Sequence, residues 1–598
     1  MSRLTLPGIF KKPFWKWLLS GILFLLIYFL LVNHAENNHQ YEFGDWKSEI
    51  YADKSGYYIY LPATFIYGFH QAPYPDSIDF KLGNGFGFVN GKMFTKYTYG
   101  VALLTTPFFL TTHLARVSKD LEANGFSSEY LNFTYYASVF YLLAGLWALL
   151  TFLRRRFSLS ASILTIVLLA FATNLYYYTF QEALMSHVYS FALFSFLILL
   201  TDNYWKKQNR WTLAGIALAS ALIVLIRPTN AIVLFVVLML DVKTTSRLRE
   251  RLRILLSARN VLILFGMFLL LWIPQMAYWK FMSGSFLFYS YKGEGFTNWL
   301  NPQILEVLFA PKNGLFIYVP AFVLVIAGLI LMIFRKDTNR WLVGAIFIVQ
   351  LYLVSSWHMF FFGCSFGQRS FVEFLALFSI PLATLFTLSF RPVKIIFTIF
   401  IVLISGYLIF FNLRLSATYA RCFDAKAWEW EIFRHHLVRA KVFPLPENTF
   451  SWKNDFEMAN TYSTAGININ KVNNAFSGIR VNALKGNSRF SDGFEIDLSE
   501  LSQGKIFTVT TSMQFFFNKF PEDASFVCSI VKNDTTVYFE SKRLPTDNET
   551  PLKNWNRIEV TFEIPFLKPE GKLRAYLMTS KTEDLLIDDF EVKICSEK

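Results

Sequence analysis

Residues 51–70 read YADKSGYYIYLPATFIYGFH, and residues 96–110 read KYTYGVALLTTPFFL. The first stretch sets Asp53 just ahead of a run in which aromatic and aliphatic residues recur at near-helical spacing with hardly a charge. That is the pattern of a helix lying in the plane of a bilayer interface. A carboxylate fixed at that depth is expected to be partly desolvated, which raises its basicity toward that of a useful general base. The second stretch opens on Lys96 and continues as an apolar run. A cation placed so either snorkels from a helix end or holds a phosphate at headgroup depth. Asp45 and Glu49 share the loop with Asp53, and any of the three reads equally as a solvated charge. Asp53 is favoured as a base because Gly56 and the interfacial run follow it at once and fix its depth.

The surrounding chain has 598 residues, 54% of them hydrophobic and 17% charged, with 66 Phe. Repeated apolar runs of about 20 residues mean transmembrane helices and exclude an ordinary soluble enzyme. The net charge of +14 sits in short basic clusters between the runs, as the positive-inside rule produces, so nucleic acid is not an expected partner. Arg3, Lys11, Lys12 and Lys16 precede the run Trp17 to Val32, and no small-residue cleavage site follows. The segment therefore reads as a retained signal anchor with the N-terminus inside. Arg154, Arg155 and Arg156 should then be inside too, which leaves room for one span between, Asn132 to Leu153. Tyr99 to Leu114 becomes a juxtamembrane or re-entrant helix that keeps Lys96 outside.

The remaining spans are Leu159–Tyr178, Leu184–Thr201, Trp211–Ile226, Ile232–Val242, Val261–Tyr278, Leu315–Phe334, Trp341–Ser356, Phe371–Phe390 and Ile395–Phe411. This gives about eleven in all, with Trp211–Ile226 and Ile232–Val242 both short. The resulting order is a cytoplasmic end and first span (1–33), a first extracytoplasmic loop (34–130), the remaining transmembrane module (131–412), a linker (413–442) and an extracytoplasmic tail (443–598).

The tail is polar and alternating, in stretches such as NRIEVTFEIPF and KLRAYLMTS, and reads as an all-β domain with its own core. The four cysteines, Cys364, Cys422, Cys528 and Cys595, all fall outside. A Cys528–Cys595 disulfide is one option, and the spacing does not choose among the three pairings. Asp588 and Asp589 either hold a structural calcium or end a strand. No CxxC, HExxH, Walker A or dinucleotide-binding fingerprint appears in a suitable context.

Several segments together resemble the GT-C glycosyltransferases, and within them the protein mannosyltransferase and lipid A aminoarabinose transferase branch, as a bacterial member. The first outer loop carries an acidic residue, then a juxtamembrane helix, then a K-x-x-x-G-x-x-L-L-x-x-P-F segment from Lys96. The branch usually begins that segment Lys-Pro-Pro; here it is Lys96-Tyr97-Thr98-Tyr99-Gly100. TFQEALMSHVYS supplies Glu182 and His187 in the position of the branch's second outer loop. Arg227-Pro228 stands at an outer hairpin where members often carry Lys-Gly-Pro. The loop WHMFFFGCSFGQRS holds His358, and its GCSFGQR resembles a Gly-x-x-Phe-Gly-x-Arg stretch ending in Arg369. The resemblance covers about residues 14–412. The tail resembles jelly-roll carbohydrate-binding domains, in WNRIEVTFEIP, LRAYLM and LLIDDFEV. There Trp555 and Tyr576 either stack on sugars or fill the core.

The resemblance implies a mainly α polytopic membrane protein of GT-C fold with a C-terminal all-β jelly-roll-like domain. It implies an inverting enzyme of the bacterial inner membrane that moves a sugar from a polyprenyl-phosphate donor to an acceptor hydroxyl on the extracytoplasmic side. Asp53 is then the base, with Glu182 as the second catalytic candidate. Lys96, Tyr57, His187, Arg227, His358 and Arg369 bind substrate, the cations steadying the leaving phosphate. The phosphate leaving group supplies the energy, so no cofactor is expected. Some GT-C enzymes use a divalent metal, but no Asp-x-Asp stands beside Asp53 to hold one. The rival readings are a lipid or glycan transporter or flippase, and a non-catalytic GT-C relative in envelope assembly. Transporters usually show repeats and midplane charges, whereas the ionisable residues here gather at the predicted outer face.

Overall fold

The computed structural model describes residues 13–37, 50–75, 85–291, 293–388, 395–419, 426–440 and 447–597, the last without 459, 465–467, 473–474, 485–487, 502–505, 520, 522–523, 545–551, 565–570 and 580–584. Asp45, Glu49 and Cys422 lie outside the described residues. The chain forms two compact units, Met1–Glu429 and Trp430–Lys598.

The first unit is helical because its sequence is a succession of apolar runs, and in lipid a backbone must satisfy its own polar groups. Glu129–Leu153, Ala258–Ser283 and Thr398–Thr418 are long and apolar enough to cross a membrane, and seven shorter apolar helices accompany them. Leu262, Phe265 and Leu270 on Ala258–Ser283, like Leu23, Phe29 and Leu30 on Pro13–Asn37, leave large apolar side chains exposed. Apolar surface on this scale fits a membrane protein with lipid-facing helices.

The expected spans differ from the observed helices where polar or proline residues interrupt them. Leu159–Tyr178 divides into Leu159–Phe171 and Leu175–Phe180. At the break Asn174 donates from its side chain to the carbonyl of Gln368, 3.2 Å away. Leu315–Phe334 divides into Leu315–Tyr318 and Phe322–Phe334 around Pro320, which offers no amide to a helical ladder. Ile232–Val242 is a 3₁₀ turn, Pro228–Leu234, followed by the single helical turn Phe235–Met239.

The stretch after Asp53 also departs from expectation. It folds as Asp53–Tyr58, Tyr60–Pro62 and a π turn, Ala63–Tyr67, and the π turn begins directly after Pro62. Residues 54–63 are buried in protein rather than laid on the interface. Tyr58 packs against Phe109, Phe126 and Phe133 and donates to the carbonyl of Gly125. The residues that read as lipid-facing are covered by the helix Gly100–Val117 and the helix Glu129–Leu153, an arrangement that local spacing does not encode.

The second unit is a sandwich of two antiparallel sheets. One runs Trp555–Glu563, Ile506–Phe517, Leu585–Glu597, Arg480–Leu484 and Ile469–Lys471, with Glu447–Asn454 also on Leu585–Glu597; the other runs Phe494–Asp497, Lys572–Thr579, Ala524–Lys532 and Thr535–Arg543. Alternation along Lys572–Thr579 sends Leu573, Ala575 and Leu577 inward. Phe515 of one sheet meets Phe526 of the other edge to face at 5.6 Å. Cys528 and Cys595 are free, so the Cys528–Cys595 option is not taken: Cys528 points into the apolar core while Cys595 sits in the other sheet's last strand. Asp588 and Asp589 lie inside Leu585–Glu597 at a register shift. Asp588 accepts from the Ser477 amide at 2.9 Å, and Asp589 pairs with Lys453 at 2.7 Å. Among the described residues no cluster is arranged to hold a metal. Trp555 packs on Phe476 and Phe516, and Tyr576 on Phe490, all at one side of their strands rather than in the core.

Candidate active site

Asp53 is the first residue of its helix, and the local fold is built to aim it. Ala52, just before it, has φ 53°, a left-handed value costly for a residue with a Cβ. The next turn is gripped by a close backbone approach. A Cβ added to Gly56 would lie 2.5 Å from the Gly85 carbonyl oxygen, and one added to Gly85 would lie 2.5 Å from the Gly56 nitrogen. The Gly85 amide donates to Ser55 Oγ at 2.6 Å, and the Thr95 hydroxyl reaches the carbonyl oxygens of Gly56, at 3.0 Å, and Gly85, at 2.9 Å. Only glycine at both positions allows that contact.

The Asp53 carboxylate receives Arg369 Nη2 at 3.0 Å and the hydroxyl of Tyr97. Burial on its own would raise the Asp53 pKa, but Arg369, Tyr97 and Lys96 together hold it below the usual aspartate value. This reverses the expectation that its position would make it more basic: desolvation is present, and the adjacent cations outweigh it. Burial, with the neighbouring Asp53 charge, pushes the Tyr97 phenol well up, so it stays a donor.

The carboxylate opens onto a cavity of about 510 Å³. Its lining includes Asp53, Lys54, Lys96, Tyr178, Glu182, Glu294, His358 and Arg369. The six charged side chains there fall into three ion pairs. Arg369 takes Asp53, Lys54 takes Glu182 at 3.0 Å, and Lys96 takes Glu294 at 2.6 Å. Glu182, the second acidic candidate, is thus held by a lysine that is 5% exposed, with its own side chain 9% exposed. His358 ties the lining together, its amide donating to the Gly295 carbonyl at 2.8 Å. Cys364, also in the lining, is disulfide-bonded.

Three of the sequence candidates stand outside the lining. Tyr57 is buried and packs on Tyr97 with the rings tilted at 45° and their centroids 4.5 Å apart. His187 and Arg227 meet at Glu373: His187 Nδ1 lies 2.9 Å from Oε2, and Arg227 Nη1 lies 3.2 Å from Oε1. Asn230 donates to the same Oε1 at 3.2 Å. Asp53, Lys96, Glu182, His358 and Arg369 are therefore brought to one cavity, while His187 and Arg227 belong to a buried network.

Sequence reasoning passed over Lys54, Tyr97, Tyr178, Glu294, Asn230 and Glu373. Glu373 carried a signal, since a lone carboxylate inside an expected span marks a functional or structural site. Lys54 stood directly beside Asp53. For Tyr97 and Glu294 no local signal exists, because their partners are 44 and 198 residues away in the chain.

No protein-family model matches the chain, and no curated protein matches it. Among solved structures, the whole chain is matched to the arabinosyltransferase EmbB of Mycobacterium smegmatis at 11% identity and a TM-score of 0.25, and it spans 65% of that protein. A quarter of the chain (25%) matches 99% of the CBM22-2 xylan-binding domain of Paenibacillus barcinonensis Xyn10C, at 20% identity and a TM-score of 0.19. A similar share (24%) matches 98% of the C-terminal CBM6 of LamC from Zobellia galactanivorans, at 11% identity and a TM-score of 0.15. At scores this low the likenesses decide nothing about the chain.

Proposed function

We propose that the chain is an integral-membrane glycosyltransferase. On this reading it transfers a sugar from a polyprenyl-phosphate donor to an acceptor hydroxyl, with inversion, on the extracytoplasmic side of a bacterial inner membrane. The observation that carries the reading is the placement of Asp53 between Arg369 and Tyr97 at the wall of the cavity, with Lys96 on the same wall. Such a transfer needs one base for the hydroxyl and cations for the departing phosphate, within reach of a single sugar.

Asp53 accepts the proton of the acceptor hydroxyl as that oxygen attacks the anomeric carbon and the carbon–oxygen bond to the phosphate breaks. Arg369 and Lys96 receive the charge that builds on the phosphate. Arg369 gives one nitrogen to Asp53, and its Nε has no acceptor among the described residues, so the guanidinium retains donors for a phosphate. A phosphate that engages Arg369 draws it from Asp53 and adds a negative charge nearby. Both changes raise the Asp53 pKa, so the carboxylate becomes a competent base only in the loaded site.

The test is incubation of the purified protein with a panel of polyprenyl-phosphate sugars and an acceptor pool, following released polyprenyl phosphate. Release by the wild type and not by Asp53→Asn supports the proposal. Intact donor across the panel, in protein shown to be folded and donor-loaded, would overturn it.

A further inference from the structure

A second polar cavity, of about 670 Å³, lies at the other end of the helix bundle. It is lined by Arg210, Asn209, Arg253, Ser257, Arg259 and Asn260, among others. Arg210 opens the helix Arg210–Ile226 whose far end leads into Arg227. A helix of that length sets the cavity roughly 25 Å from the Glu373 network, so it is no part of the candidate active site.

Its arginines contrast with the nearby basic residues that are partnered within the protein. Arg155, Arg156 and Lys206 all close on Asp202, and Arg251 donates to the carbonyls of Leu238 and Leu240. Arg210, Arg253 and Arg259 have no carboxylate within salt-bridge distance among the described residues, and no acidic residue lines the cavity. Three guanidinium groups facing one space repel one another unless an anion lies between them.

A further donor set comes from the backbone. The helix Ala258–Ser283, 26 residues long, begins at the cavity wall, and the side chain of its N-cap Ser257 makes no capping bond. The amides of its first turn are therefore left without the usual side-chain acceptor, at the positive end of the helix dipole. Asn260 in that turn is held in place by donating to the Ile254 carbonyl at 2.8 Å. Guanidinium forks and a helix N-terminus converging on one space are matched by tetrahedral oxyanions more than by carboxylates, because three or more oxygens can be engaged at once. The cavity belongs to a unit with lipid-facing helices, and basic pockets between such helices take anionic headgroups.

We propose that this cavity binds the phosphate group of an anionic molecule, the headgroup of a membrane phospholipid being one source and a soluble phosphate the other. The site is independent of the proposed transfer reaction. The test uses the full chain in neutral detergent, with retained ligand counted by native mass spectrometry in the presence of phosphatidylglycerol, phosphatidylcholine or inorganic phosphate. The triple variant Arg210→Gln, Arg253→Gln, Arg259→Gln is compared with Arg247→Gln, Arg249→Gln, which removes two arginines of the same basic segment outside the lining. Losing charged hydrogen bonds should weaken binding at least about tenfold in the triple variant and leave the control unchanged. Retention of phosphatidylglycerol that the triple variant loses assigns a lipid headgroup; retention of inorganic phosphate alone, lost in the same way, assigns a soluble source. If the triple variant does not fold, Arg253→Gln and Arg259→Gln singly should each reduce retention. Equal retention in wild type and cavity variants, or equal loss in the control, would overturn the proposal.

Discussion

Glu373 and Asp53 are both carboxylates met by an arginine, yet they differ in what else reaches them. Glu373 is fully buried, and both of its oxygens are taken, by His187 on one side and by Arg227 and Asn230 on the other. Asp53 keeps 28% of its side-chain area open, and that opening is the cavity. A buried carboxylate with both oxygens engaged acts as a positioning group: it fixes the segments that bring its partners, and a substrate could reach it only by dismantling the network. A carboxylate that is paired but open can exchange one partner for another. The difference fits a structural role for the buried Glu373 network, and it leaves the open cavity wall to the proposed chemistry.

The sharpest way to break that comparison is to neutralise each carboxylate in turn. Asp53→Asn keeps the shape but cannot take a proton, and losing a general base costs about 10²- to 10⁴-fold in rate. Single-turnover release of polyprenyl phosphate at saturating donor should show that loss, with the protein still folded and donor still bound. Near-normal turnover would remove Asp53 from the chemistry.

Glu373→Ala should act in the opposite sense. It leaves Arg227, His187 and Asn230 without their common acceptor in a buried setting, and breaking a buried pair of this kind costs about 3–5 kcal/mol of stability. Thermal unfolding in detergent should show a large drop for Glu373→Ala and a small one for Asp53→Asn. If the two fell equally, the distinction between the buried network and the cavity wall would be lost.

How much of this was legible in the sequence follows the same division. The wall is legible in residues that stand beside apolar runs: Asp53, Lys96, Glu182, His358 and Arg369 all stand out in the sequence. Their partners do not, because Tyr97, Lys54 and Glu294 matter only through contacts the fold creates. His187 and Arg227 stand out beside apolar runs as well, but their meeting at Glu373, a lone carboxylate within another such run, is a contact the fold creates. The helical unit is legible in the long apolar runs and the all-β character of the tail in its alternation. What period could not give was the fate of residues 54–63, because an apolar helical face reads the same whether it meets lipid or protein.

A smaller effect should appear in the pH dependence. Burial pushes Asp53 up, and Arg369, Tyr97 and Lys96 hold it below the ordinary value. A depressed carboxylate contributes stability that is present above its unfolded pKa of about 3.9 and is lost as pH falls through the lower folded value. In the free enzyme the acid limb of kcat/KM should therefore lie below the usual aspartate range. Arg369→Gln should move that limb upward, because desolvation is then opposed less. In the donor complex the limb of kcat should lie above that of kcat/KM, since the phosphate competes for Arg369. Coincident limbs in wild type and Arg369→Gln would show that Asp53 does not set the acid side of the profile.

The smallest effect concerns Lys96, and it separates a phosphate ligand from a mere ion-pair member. Lys96 and Glu294 are each 31% exposed, and a pair that open contributes about 0–1 kcal/mol to stability. Neither Lys96→Ala nor Glu294→Gln should therefore change unfolding by much. Donor binding should distinguish them. Removing Lys96 removes a charged hydrogen bond to the phosphate, a loss of about tenfold in affinity. Removing the Glu294 charge frees Lys96 from its resting partner and takes a negative charge from the cavity wall, so donor affinity should hold or rise. The signature is opposite signs from the two ends of one ion pair, read by donor titration. If both variants weakened the donor alike, the pair would be a structural tie between the Lys96 turn and the Glu294 loop, and Arg369 would be left as the cation that meets the phosphate.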